Sequence, residues 1–176
     1  MSVHLPKALL DLESNCGIFA VWMLLQNYSI QLDIQQLVKL CHHDAEDGTF
    51  TIGLAVGLKK LGFDLSFYTD EDSNIHEKEI VRYQDAKKLG LQISPALSYQ
   101  EIQAYIEQGC NIIVFYDTLE GVGNHSLVYS INDQEICFYD NFEAMPKAVF
   151  EQQRLAEGIC QQMIVIREYC PAIRYC

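Results

Sequence analysis

The hydrophobic period of the chain changes at Gly62, and this switch limits its fold more than any other feature. Upstream, Ser14-Asn15 precede a run with apolar residues at Cys16, Ile18, Phe19, Val21, Trp22, Leu24 and Leu25. That density predicts a buried helix of about three turns with Ser14 or Asn15 as its N-cap. A second helix follows Asp33, with Ile34, Leu37, Val38 and Cys41 on one face, and a third spans Thr51–Leu61 and ends at Gly62, a suitable C-cap. Downstream, Phe63, Leu65 and Phe67 alternate with polar residues, the pattern of a half-buried strand. A polar stretch from His76 to Leu89 predicts a surface helix closed by Gly90, and the Ser98-Tyr99-Gln100-Glu101 capping box opens a short helix ending at Gly109. Asn111–Asp117 is apolar enough for a central strand. His125–Ile131 and Glu135–Asp140 flank the turn-forming Asn132-Asp133-Gln134 as a hairpin, and a strand over Gln161–Arg167 follows a helix-like segment near Val149–Glu157. Helices first and an antiparallel sheet last is an α+β layout. At 176 residues the chain is expected to form a single domain, 1–176, around one core.

Charge narrows the partners. Twelve Lys plus Arg against 24 Asp plus Glu leave a net charge of −12, and residues 61–120 alone hold eleven acids and four bases. Such a field repels phosphate backbones and anionic lipid, so nucleic acid is not an expected partner. The longest apolar runs, such as Ile112–Tyr116, fall far short of the ~20 residues that span a bilayer, and no membrane insertion is expected. The N-terminal MSVHLPKALL shows no secretion signal, which makes the cytoplasm the expected compartment. Seven cysteines stand at 16, 41, 110, 137, 160, 170 and 176 without a C-x-x-C pair, which argues against a zinc ribbon or a redox dithiol. Several read as small buried hydrophobes. Cys170 and Cys176 flank Pro171 in the tail, either as a pair that oxidises to a disulfide or as an exposed end. Cys41-His42-His43-Asp44 offers metal-type donors, but sequence neighbours at a helix end point in different directions. Neither metal nor organic cofactor is expected.

One thiol has a setting unlike the others. Cys16 stands at the predicted start of the first helix, where free N–H groups and the helix dipole favour a thiolate, and Gly17 beside it leaves room for a substrate backbone. His125 follows Gly121-Val122-Gly123-Asn124 at the entrance of a strand, a rigid place for an imidazole base. A hairpin centred near residue 133 brings the end of the next strand back beside His125, so that either Asp140 or Asn141 can orient the ring through its second nitrogen. Cys, His and an acid or amide form a nucleophile, a base and an orienter, the logic of thiol hydrolases.

Three segments then resemble one family. Ser14-Asn15-Cys16-Gly17 opens a buried helix, Gly48 to Gly62 ends in Leu-Lys-Lys-Leu-Gly-Phe, and Asn124-His125-Ser126-Leu127-Val128 is followed by Phe138-Tyr139-Asp140. Together, over about residues 10–168, they resemble the papain-like bacteriocin-processing peptidases, which act on double-glycine leaders, and leave 169–176 as a short tail. The resemblance implies a papain-like fold, a peptide or protein substrate, Cys16 as nucleophile, His125 as general base and Asp140 as the residue that orients it. The family usually places a Gln about six residues before the nucleophile as an oxyanion donor. Here that position is Leu10, which makes Asn15 the candidate donor. The Pro that commonly follows the orienting Asp is replaced by Asn141, which keeps Asn141 as an alternative orienter. Beside a cysteine peptidase, two other readings are compatible with these residues: a catalytically weak papain-like module that binds a leader-type peptide, and a thiol amidase or acyltransferase acting on a non-peptide substrate.

Overall fold

Thr51–Leu61 forms helix α4 and Ile34–Cys41 helix α3, and two glycines one turn apart decide how closely they pack. A Cβ on Gly53 would stand 2.7 Å from the Cys41 carbonyl oxygen, and one on Gly57 would stand 2.5 Å from the Cys41 sulfur. Only glycine admits that approach. The computed structural model describes residues 5–118, 120–141 and 143–170. Within them α1 covers Lys7–Leu10 and α2 Cys16–Asn27, so Cys16 is the first helical residue, as expected, and Asn15 the N-cap. Asp33 caps α3 by accepting from the Gln35 N–H at 2.9 Å. Gly62 ends α4 in the left-handed conformation, φ 99°.

Strand β1 is Phe63–Thr69, followed by α5 at Glu77–Lys88, β2 at Gln92–Pro95 and α6 at Tyr99–Glu107 behind its capping box. Then come β3 at Asn111–Asp117, β4 at Gly123–Ile131, β5 at Glu135–Phe138, β6 at Met145–Pro146, α7 at Lys147–Arg154 and β7 at Met163–Tyr169. The seven strands form one sheet in the order β2-β1-β7-β3-β4-β5-β6. All pairings are antiparallel except that of β1 with β2, a short edge strand that the sequence pattern does not announce. The α+β expectation stands, with a sheet that is mostly rather than wholly antiparallel.

The apolar residues divide into two clusters across the sheet, where one core was expected. Ile18, Val21, Leu24 and Leu54 meet Ile113, Leu127, Ile164 and Ile166 on the face covered by α2 and α4. Tyr99, Ile102 and Phe150 meet Ile112, Val114, Val128 and Val165 on the face covered by α6 and α7. Central strands β3 and β7 are therefore buried on both sides and read as unbroken apolar runs. β1 is likewise more buried than the half-buried strand that its alternation predicts, because Ser66 on its second face is 1% exposed. The alternation of side chains along β4 sends His125 and Leu127 toward α2, and Ser126 and Val128 toward the opposite face. The site depends on this parity.

Candidate active site

Cys16 and His125, separated by 109 residues in sequence, meet at the head of α2: Cys16 Sγ lies 3.6 Å from His125 Nδ1. His125 is held on three sides. Its strand partner Phe115 stacks on the ring with centroids 4.4 Å apart and planes 23° apart. Gly17 lies close enough that an added Cβ would stand 3.4 Å from Nδ1. The second ring nitrogen, Nε2, lies 2.9 Å from Thr51 Oγ1 at the start of α4, a bond between two buried side chains. The pair opens into a cleft of about 930 Å³. Glu46, Asp47, Glu71, Asp72, Glu79 and Glu157 line this cleft, and no Lys or Arg lines it among the described residues.

Burial rather than the helix dipole sets the charge state. It pushes the Cys16 thiol above its ordinary range, although backbone N–H groups of His125 and Gly17 pull the other way. Burial also pushes the His125 imidazole down to about 3. The resting pair is therefore a neutral thiol beside a neutral imidazole. The thiolate expected from the dipole is the smaller effect, since desolvation opposes any lone charge in an enclosed site.

The remaining sequence candidates have other partners. Asp140 lies beside Ser126 instead of His125, and Ser126 Oγ donates to Asp140 Oδ2 at 2.8 Å. The cause is register. Ile131 pairs with Ile136 and Ser130 with Cys137, then a bulge at Tyr129 lets Val128 pair with Phe138. The pairing continues with the Tyr139 N–H on the Leu127 carbonyl, which leaves Ser126 level with Asp140. A one-residue difference moves a partner to the other face of a sheet. Asp140 accordingly joins a polar network in which Asn124 Nδ2 donates to Tyr116 Oη at 2.9 Å and to Ser126 Oγ at 3.2 Å. Asn141, the alternative orienter, is exposed, and its side chain accepts from the Glu143 N–H in a loop turn. Asn15 Nδ2 donates to the Leu9 carbonyl at 2.8 Å, which ties α1 to the head of α2 and engages the amide proposed for the oxyanion. Leu10 is 60% exposed on α1.

Two contributors were missed in sequence, Thr51 and Phe115. Thr51 looks like an ordinary first helical residue, and Phe115 like core, and only the strand register and the α4–β4 contact reveal them. His43 has a structural use: Nδ1 bonds Thr49 Oγ1 at 2.8 Å and Nε2 the Glu13 carbonyl at 3.0 Å, tying two loops that border the cleft. Cys41 is fully buried and His42 Nε2 lies 3.3 Å from Lys60 Nζ, so the four residues from 41 to 44 do not converge. Among the described residues no group of three or more His, Cys, Asp or Glu side chains is placed to hold a metal ion. Nor is any helix among them long and apolar enough to cross a membrane. Cys170 is exposed, and Cys176 lies outside the described residues.

Comparison with known proteins agrees with the resemblance read from the sequence. Residues 10–88 match the Peptidase C39 family. A segment of 68 residues, 39% of this chain, is 35% identical to the lactococcin-G-processing and transport ATP-binding protein LagD of Lactococcus lactis subsp. lactis. That segment spans only 10% of the LagD chain. The fold matches the crystal structure of the peptidase domain of Streptococcus ComA, a bi-functional ABC transporter involved in a quorum-sensing pathway. The match has a TM-score of 0.53 at 16% identity and covers 87% of this chain and 91% of that domain.

Proposed function

Because residues 10–88 match the Peptidase C39 family and the fold follows the ComA peptidase domain over 87% of the chain, we propose that it is a cysteine peptidase that cleaves a leader-type peptide. The observation that carries this reading is the contact of Cys16 with His125 at the head of α2, open to a cleft large enough for an extended peptide. In the proposed reaction the Cys16 proton passes to His125 Nδ1 as sulfur attacks the carbonyl carbon. The C–N bond then breaks, and the leaving amine takes the proton back from Nδ1. Water, deprotonated by His125, hydrolyses the thioester and regenerates the thiol. The neutral resting pair means that charge appears only as the reaction begins. The N–H of Cys16, which has no acceptor four residues earlier in the helix, is a donor for the oxyanion. Asp140 is bonded to Ser126 on the opposite face of strand β4 and does not contact the His125 ring. The acid-lined cleft favours a peptide with cationic side chains near the scissile bond.

A second reading has an observation in its favour. Leu10 supplies no oxyanion donor and one N–H of the Asn15 amide is engaged with Leu9, so a module that binds leader peptides with little cleavage fits the same cleft. Purified protein incubated with double-glycine leader peptides decides between the two, with cleavage followed by mass spectrometry and binding by calorimetry on the Cys16→Ala variant. Cleavage by the wild type, abolished in Cys16→Ala and His125→Gln, is the expected result. Tight binding without cleavage by the wild type would establish the binding module instead.

A further inference from the structure

The second nitrogen of His125 meets a hydroxyl where the resemblance implies a carboxylate. We propose that Thr51 is the positioning residue of the His125 base, accepting the Nε2–H so that the Nδ1 lone pair faces the Cys16 thiol. The inference rests on Cys16 and His125 being the catalytic pair. Its geometric support is direct: Thr51 Oγ1 is 2.9 Å from Nε2 while Nδ1 is 3.6 Å from Cys16 Sγ. Thr51 is 1% and His125 4% exposed, so no bulk water competes for the bond. The hydroxyl is also rigidly placed. It sits on the first turn of α4, and the close seat of Gly53 and Gly57 on Cys41 fixes that helix. Asp140 is engaged with Ser126, on the opposite face of β4.

A neutral imidazole carries one N–H and one lone pair, and the partner of one nitrogen decides which nitrogen carries the proton. In the productive tautomer Nε2–H donates to Thr51 and Nδ1 takes the thiol proton. In the other, Nδ1–H faces the sulfur and cannot accept from it. A carboxylate only accepts, and so enforces the first form. A hydroxyl both donates and accepts, and fixes the ring plane while favouring the productive form less strongly. It also adds no negative charge beside the imidazolium, in keeping with a ring that burial holds neutral at rest.

Thr51→Val keeps the shape of the side chain and removes the oxygen, Thr51→Ser keeps the oxygen, and Asp140→Asn removes the competing carboxylate. T51V is expected to lower kcat by about 10- to 100-fold with KM within about twofold, and T51S to restore kcat to within a few-fold of wild type. An independent readout is the ring ¹⁵N spectrum of His125 near pH 7. It should show the Nε2–H form in wild type and T51S and a mixed population in T51V, with the other four histidines unmoved. T51A serves the same comparison where Val disturbs the first turn of α4. Wild-type kcat and an unmoved tautomer in T51V would overturn the proposal, as would both effects appearing in D140N and not in T51V. If the wild type cleaves nothing, the spectrum alone decides: a tautomer shift in T51V keeps Thr51 as the positioning residue while the peptidase reading falls, and no shift refutes the assignment.

Discussion

Gly123→Ala should damage the site through the aromatic ring stacked on His125. The backbone at Gly123 has no positive φ, so alanine is tolerated there on conformational grounds. Space is the obstacle: the new Cβ would stand 2.6 Å from Phe115 Cζ and 2.8 Å from Cε2. Carbon atoms at rest stay about 3.5–4.0 Å apart, so the edge of the Phe115 ring must retreat by roughly 1 Å. Phe115 is stacked on His125 at 4.4 Å, so its retreat either tilts the imidazole or strains the surrounding packing. Overpacking of this kind costs about 1–3 kcal/mol, and a displacement of about 1 Å at a reacting group lowers turnover by about 100-fold. Urea unfolding measures the first quantity and kcat on a cleaved peptide the second. Phe115→Leu in the same background removes the clashing edge, so the double variant should recover stability relative to Gly123→Ala alone, a coupling that a double-mutant cycle isolates. Wild-type stability together with wild-type turnover in Gly123→Ala would show that the Phe115–His125 stack does not hold the base in place.

Two further outcomes follow from burial and charge. The folded state holds His125 neutral down to about pH 3, whereas the unfolded chain protonates it near 6.5. Below pH 6.5 the unfolded state thus binds the extra proton and stability falls as pH falls, by about 1.4 kcal/mol per unit, or about 3 kcal/mol at pH 4.5. Buried Glu79 and the Ser126-bonded Asp140, whose carboxyls are raised by desolvation, shift stability the opposite way. They are present in His125→Gln too, so the wild type should lose more stability than that variant between pH 7 and 4.5, and equal losses would contradict a neutral buried imidazole. For the thiol, the raised Cys16 predicts slow alkylation at pH 6 and a rate that climbs toward pH 9, with fully buried Cys41, pushed to about 12, unreactive until the protein unfolds. The six acids of the cleft should make a cationic methanethiosulfonate react at Cys16 about tenfold or more faster than an anionic one, relative to the same pair on denatured protein. Mass spectrometry of the labelled peptides gives the ratio, and a ratio equal to that of the denatured chain would remove charge selection from the cleft.

What the sequence makes legible is whatever depends on local pattern. The capping box at Ser98–Glu101, the left-handed Gly62 and the apolar run from Cys16 each specify an element through contacts within a few residues, and each element is present. The meeting of Cys16 with His125 was legible too, because a nucleophile at a helix head and a base at a strand entrance leave few other arrangements that share one sheet end. What escaped depends on long-range register and on solvent exclusion. The hairpin arithmetic places the end of β5 near His125 within one residue, yet one residue is the whole difference between the two faces of a strand. The bulge at Tyr129, which nothing in the turn Asn132-Asp133-Gln134 announces, settles the matter for Ser126. In the same way, the dipole at the start of α2 can be read from Asn15-Cys16-Gly17, but the burial that outweighs it depends on segments remote in sequence coming together, such as Thr51 and Phe115 around His125. A neutral Cys16–His125 pair follows from that assembly, with the second nitrogen of the imidazole bonded to the Thr51 hydroxyl.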